Sequence, residues 1–292
     1  MSEIPFTWHA VGTAGIEALI QARLEAHWAT QLVGATADAL LDKAKDDSHT
    51  NLFWNRDAHH LEGREIPFAV HGDHGFGRLA VKLHPLALHL GGEAFPLADK
   101  TLQDATEWVE HQLAKRVDAA VSLRIRDYDM PDHPVAGGAR FAGTDAGSAS
   151  ELGCWFENGT DVLLAVASDL HGVSEIALWP HHFDIGGILF LDPTASADRA
   201  PQVGLGLSLG DGHIAEPYFY ITPWPTAEGA TMEGLSGGRW LSEGFSGAVL
   251  GREEVAAAGG AAKQGETVTA FFKEGLRKAR AMVRSAVTGT AD

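Results

Sequence analysis

QVGLGLSLG, residues 202–210, has two incompatible readings, and the fold turns on the choice. Its last five residues match GxSxG, the pattern of a nucleophile elbow, in which a serine is exposed on a sharp turn between a strand and a helix. The helix is missing. Instead the chain continues as DGHIAEPYFYI, with a Gly-containing turn, a proline and β-prone aromatic residues. Ser208 is therefore read inside a strand, where Val203, Leu205, Leu207 and Leu209 make an apolar face and Gly204, Gly206 and Ser208 a nearly bare one. Glycine weakens a strand interior by removing packing, and often marks where a ligand or another backbone comes close.

The flanking segments sort by the same alternation. Upstream, LWPHHFDIGG (178–187) lies in a strand candidate spanning about 175 to 191. Its odd positions, Trp179, His181, Phe183 and Ile185, are apolar apart from one histidine, so His181 is expected in the core, bonded to a backbone carbonyl. Its even positions put His182 and Asp184 on one side, where they can share a proton, a ligand or a metal. Downstream, EPYFYIT (216–222) separates Phe219 and Ile221 from Glu216, Tyr218 and Tyr220. Paired as a meander, the three strands unite their apolar faces into a core. The other faces form a small polar pocket with a glycine floor and tyrosine walls. In that pocket His182 is the candidate base or metal ligand, Asp184 its orienting partner or a second ligand, Glu216 an acid or further ligand, and Ser208, Tyr218 and Tyr220 the ligand contacts. Two plainer readings stand beside this one: a glycine face also accepts a crossing helix, and a His–Asp pair is often an ordinary hydrogen bond worth about 1.5–3 kcal/mol when one partner is charged.

Two further stretches carry candidate ligand contacts. DDSHTNLFW gathers Asp46, Asp47, His49 and Asn51 before a strand, as a capped turn also does. AAVSLRIRDYD is read as a strand placing Arg124, Arg126 and Tyr128 on one face before the chain turns through Asp129, Pro131, Asp132 and His133, and paired arginines bind carboxylate or phosphate bidentately. A salt-bridged edge is the alternative.

Outward from these motifs, Ile16, Ile20, Leu24, Trp28 and Leu32 predict a long helix from about 14 to 43. RLAVKLHPLALHLGG reads as two strands. Thr101 and Asp104 form a capping box for a second helix, Ser148 and Glu151 one for a third, and a last helix spans about 266 to 287. Small, glycine-rich residues 136–150 read as a connector between an N-terminal half (1–135) and a C-terminal half (151–292) that carries the pocket. Each half reads helix, strands, helix. The fold class is thus α+β, two β-rich halves with mostly antiparallel sheets flanked by long helices; the shared order suggests duplication, with no residue-level repeat behind it.

The chain has 292 residues, 45% hydrophobic and 21% charged, which suits one large or two ordinary domains. One cysteine, Cys154, excludes an internal disulfide and CxxC zinc sites and fits a reducing compartment. No secretory signal opens the sequence and no apolar run reaches the ~18 residues of a membrane span, so a cytoplasmic protein is expected. A formal charge of −17 opposes nucleic acid and anionic membranes as partners.

At DDSHTNLFW, RDYDMPDHP, WPHHFDI and EPYFYITPWP the sequence resembles an uncharacterised bacterial family, a domain of unknown function similar over nearly the whole chain. The resemblance implies a shared fold of helices flanking β-rich halves and brings no activity or cofactor. It also implies that distant relatives keep FD and EP while varying the histidines, which favours Asp184 and Glu216 over a histidine-based metal site. Two functions are consistent with these readings: an enzyme acting on a small molecule by hydrolysis or acid–base chemistry, with or without a divalent metal such as zinc, or a non-catalytic small-molecule binding or assembly protein. The partner in either case is a small molecule; the sequence is silent on oligomeric state.

Overall fold

In a computed structural model of the chain, which describes residues 6–70, 73–117, 120–192, 194–195, 200–226, 234–243 and 245–289, the strand around Ser208 pairs on both sides as a meander. The fold is α+β with mostly antiparallel sheets. It divides into two compact units interleaved along the chain: residues 14–153 with 178–183, and residues 1–13 with 154–177 and 184–292.

The first unit opens with α1 (Ile16–Leu40), which is buried on most of its circumference. Its polar side chains therefore need partners inside the protein. Glu25 accepts the backbone N–H groups of Ala142 and Gly143 at 2.7 and 2.9 Å, and so anchors the glycine-rich 136–150 stretch, where Phe141 is fully buried. Short strands come next: β1 (Phe53–Asn55), β2 (His60–Glu62), the hairpin β3 (Ile66–Val70) and β4 (Asp73–Gly77), then β5 (Leu79–Leu83), β6 (Leu86–Leu90) and β7 (Glu93–Pro96). Five of them form an antiparallel sheet in the order β1-β2-β5-β6-β7. Helix α2 (Leu102–Ala114) begins at the expected capping box: the Thr101 hydroxyl accepts the Asp104 N–H at 3.0 Å, and the Asp104 carboxylate accepts the Thr101 N–H at 2.8 Å. Trp108 on α2 stacks on Phe95 of β7, ring centroids 5.4 Å apart.

Two expectations fail in this unit. Residues 120–129, expected as a strand, form none, because no neighbouring strand pairs with them. The helix predicted with Ser148 as its cap begins three residues earlier: α3 (Ala146–Ser168) is capped by Asp145, whose Oδ1 accepts the Ser148 N–H at 2.9 Å, while Glu151 is used on the Ala14 N–H instead.

The second unit holds the C-terminal part of α3 and the meander β9 (Asp184–Phe190), β10 (Gln202–Ser208) and β11 (Tyr218–Trp224), reached through β8 (Ala177–Trp179). Strands β12 (Arg239–Leu241) and β13 (Gly247–Gly251) extend the sheet on the far side of β11. After the one-and-a-half-turn α4 (Arg252–Ala257), α5 (Ala261–Gly289) closes the chain. The predicted apolar face of the meander packs on α3 and α5. Phe219 meets Trp155 and Phe272 at centroid distances of 6.0 and 5.7 Å, and a Cβ on Gly159 or Gly275 would come within 2.4 Å of Leu207 or Ile221. Glycine on each helix lets it approach the sheet closely. Burial of each large apolar side chain there contributes about 1.5–3 kcal/mol.

Candidate functional site

The register of the meander puts Asp184, Ser208 and Tyr218 in one cross-strand row and Gly186, Gly206 and Tyr220 in the next on the same face. The Tyr220 hydroxyl donates to Asp184 Oδ2 at 2.5 Å, and the Tyr218 hydroxyl donates to Asp211 Oδ2 at 2.5 Å. Burial, reinforced by the neighbouring carboxylates, raises both phenol pKa values above the ordinary 10.0. Ser208 is buried and its Oγ accepts the Gly210 N–H at 3.1 Å. The glycine floor is covered: a Cβ on Gly206 would lie 2.4 Å from the Tyr220 ring and hydroxyl, and one on Gly186 would lie 2.6 Å from the same hydroxyl. Tyr220 lies down across the bare strands rather than standing as the wall of a cleft. Phe245 packs edge-on against both tyrosines. Glu216 precedes β11 and pairs with Arg252 at 3.5 Å.

His182 does not share the alternation of Asp184. Residues 180–183 form a turn closed by the Phe183 N–H bonding to the Trp179 carbonyl at 2.7 Å, with Phe183 in the left-handed region at φ 55°. The continuous strand read through 178–185 is thereby corrected, and the signal was Pro180, which demotes a run that otherwise looks like a strand. His182 is exposed and His49, Arg126 and His182 belong to one unit, whereas Asp184, Ser208, Glu216, Tyr218 and Tyr220 belong to the other.

The turn sits in its own polar network. His27 Nε2 and Gln31 Nε2 both bond to the Pro180 carbonyl, at 2.9 and 2.6 Å, and the His27 ring stacks on Phe183. His181, expected in the core, is only partly buried: it stacks on Tyr128 at 5.1 Å and touches His182 at 4.2 Å. Tyr128 receives an Arg126 Nη1–H at 3.1 Å, and Arg126 in turn grips both oxygens of Asp38 and pairs with Asp47 at 3.0 Å. His49 is buried; its Nδ1 accepts the Ala44 N–H at 3.2 Å, so Nε2 carries the proton and donates to Asp38 Oδ1 at 2.8 Å. Burial opposes ionisation of Asp38, but the bonds from Arg126 and His49 prevail and hold its carboxyl below the ordinary 3.8. A shallow cleft of about 350 Å³, lined by Lys43, Ser122, Arg124 and Asp127, opens beside Asp38 and Arg126.

Asp38 and Asp211 are the partners that sequence reasoning missed. Asp38 lies 11 residues before His49 and 88 before Arg126, separations that no motif spans. Among the described residues no three His, Cys, Asp or Glu side chains come together in a group able to hold a metal ion, and no helix is long and apolar enough to cross a membrane.

A separate cavity of about 680 Å³ lies between α3 and α5, with Val162, Val166 and Leu276 in its wall and Arg277, Arg280 and Arg284 around it. The sequence signal for it is the spacing of Lys273, Arg277, Arg280 and Arg284, which puts four cations on one stripe of α5. Compared with protein-family models, with curated proteins and with solved structures, the chain finds no match.

Proposed function

We propose that the protein binds a small molecule without transforming it. One observation carries this reading: the buried groups best suited to move protons are already engaged with internal partners, while exposed His182 belongs to a different unit from Asp184 and Glu216. Both nitrogens of His49, both oxygens of Asp38 and the hydroxyls of Tyr218 and Tyr220 are spent on internal bonds. A general base needs a lone pair within reach of the substrate, and His49 has none to offer. Space for a ligand lies instead in the α3–α5 cavity, whose volume falls in the usual range for small-molecule sites. A second reading, an acid–base enzyme working through Asp184, is favoured by the short Tyr220–Asp184 bond, since a neutral phenol beside a carboxylate is a proton-transfer pair.

Thermal unfolding of the full chain against a panel of small carboxylates, phosphates, amines and divalent metals tests the proposal. A ligand at about 100 times its Kd contributes about 2.7 kcal/mol, which for a protein of this size raises Tm by several degrees. The expected hit is recovered chemically unchanged. A panel that moves no transition, or a hit that is converted to product at a rate abolished by Asp184→Asn, overturns it.

A further inference from the structure

We propose that the cavity between α3 and α5 is a binding site for an amphipathic anion, a free long-chain carboxylate, with its tail in the cavity and its head on Arg280 and Arg284. The inference rests on the ligand-binding reading above and names the ligand class and the residues.

Charge is the first argument. In a protein of formal charge −17, four cations at 273, 277, 280 and 284 gather along one stripe of a single helix. Elsewhere on α5 the lysines have carboxylate neighbours: Lys263 pairs with Glu266 at 2.6 Å and Lys278 with Glu274 at 2.8 Å. Among the described residues, Arg277, Arg280 and Arg284 have no such partner, and Asp169 is the sole acidic side chain in the cavity lining. Arg277, Arg280 and Arg284 stack at i+3 and i+4 spacing, where like charges oppose helix formation, and an anion seated on them removes that cost.

Burial is the second. The Nε of Arg280 is shielded from solvent and makes no hydrogen bond. A guanidinium presents its donors in a planar fork, and a carboxylate oxygen is the acceptor that fork fits. Arg280 and Arg284 also line a neighbouring cavity of about 530 Å³ whose wall is mostly apolar, with Leu189, Val283 and Val287, and carries Asp192 and His171 as its other ionisable side chains, so the two guanidiniums stand where two largely apolar spaces meet. Apolar walls beside a cationic end match a tail and a head; a phosphate or a short carboxylate would leave those walls unfilled.

The test uses the full chain and sodium dodecanoate below its micelle concentration, followed by calorimetric titration. Dodecanoate binds saturably at one site; dodecanol, which keeps the tail, and acetate, which keeps the head, bind at least about tenfold more weakly, as does dodecanoate to Arg280→Met. Ala281→Trp, an exposed position that faces the cavity, abolishes binding by filling it and supplies the answer if the arginine variant fails to fold. Equal binding of dodecanol, or dodecanoate binding unchanged in both variants, overturns the assignment. Sedimentation with phosphatidylglycerol vesicles in the absence of dodecanoate binding also overturns it, pointing to a lipid surface instead. If dodecanoate fails while another panel compound binds in an Ala281-sensitive way, the ligand class is wrong and the ligand-binding reading stands.

Discussion

Each of the three tyrosines of this protein has its hydroxyl in the interior or bonded to a charged group, and burial pushes all three pKa values above the ordinary 10.0. A phenol whose folded pKa is raised contributes stability that is complete below pH 10 and is lost as pH climbs toward its folded value. Tyr218 and Tyr220 are therefore expected to contribute almost no tyrosinate absorbance at 295 nm in the folded protein at pH 10.5, and their signal appears only with unfolding; a folded-state signal at pH 10.5 larger than one tyrosine can supply contradicts this. At the other end of the scale stands Asp38. Because its folded pKa lies below 3.8, the stability it adds is present at neutral pH and disappears as pH falls through the folded value. Arg126→Gln removes the grip on Asp38 and is expected to cost about 1–3 kcal/mol in urea unfolding at pH 7, discounted for the partial exposure of the pair, and distinctly less at pH 3. An equal loss at both pH values shows that Arg126 acts through packing alone.

At the level of elements, the alternation in QVGLGLSL and EPYFYIT was legible because both are true strands with partners on each side, so parity alone assigns their faces. It misled at LWPHHFDI, where Pro180 warns against a continuous strand but nothing in residue type shows that Phe183 is left-handed, and at LRIRDYD, where β-forming residues lie with nothing to pair them. Helix starts divided the same way. Thr101–Asp104 is a complete cap within four residues, whereas Glu151 was drawn to a backbone N–H far away in sequence. The candidate site was half visible: Asp184, Ser208, Tyr218 and Tyr220 share a face, but that the tyrosine would cover the glycines depends on which way a side chain leans. Gly206→Ala tests this covering. Its Cβ would meet the Tyr220 ring and, at 2.6 Å, the Ile185 carbonyl, so a loss of about 1–3 kcal/mol is expected, while Gly75→Ala, with open space around it, stays within ~0.5 kcal/mol. Comparable effects at the two glycines refute the covering role of Tyr220.

For the molecule as a whole, histidines that fold uncharged add a second source of acid sensitivity to that of Asp38. Burial holds His27 down to about 3, and burial together with neighbouring histidines holds His60 and His181 to about 4. A histidine with a depressed folded pKa adds stability above the unfolded value of 6.5, and that stability drains away as pH falls toward the folded one. His27 alone gives a slope approaching ~1.4 kcal/mol per pH unit below pH 6; the other two, being partly exposed, add less. Urea midpoints measured from pH 7 to pH 4 are expected to fall steadily, and His27→Gln to flatten the decline; an unchanged slope in that variant removes His27 from the account.

The interleaving of the two units carries a consequence for descent. Because α3 passes without a break from residue 153 to 154, and because segments 1–13 and 178–183 belong with distant stretches, no single crossover between genes transfers one unit whole. Recombination would have to move two or three separate pieces at once, so the pair is inherited as one block.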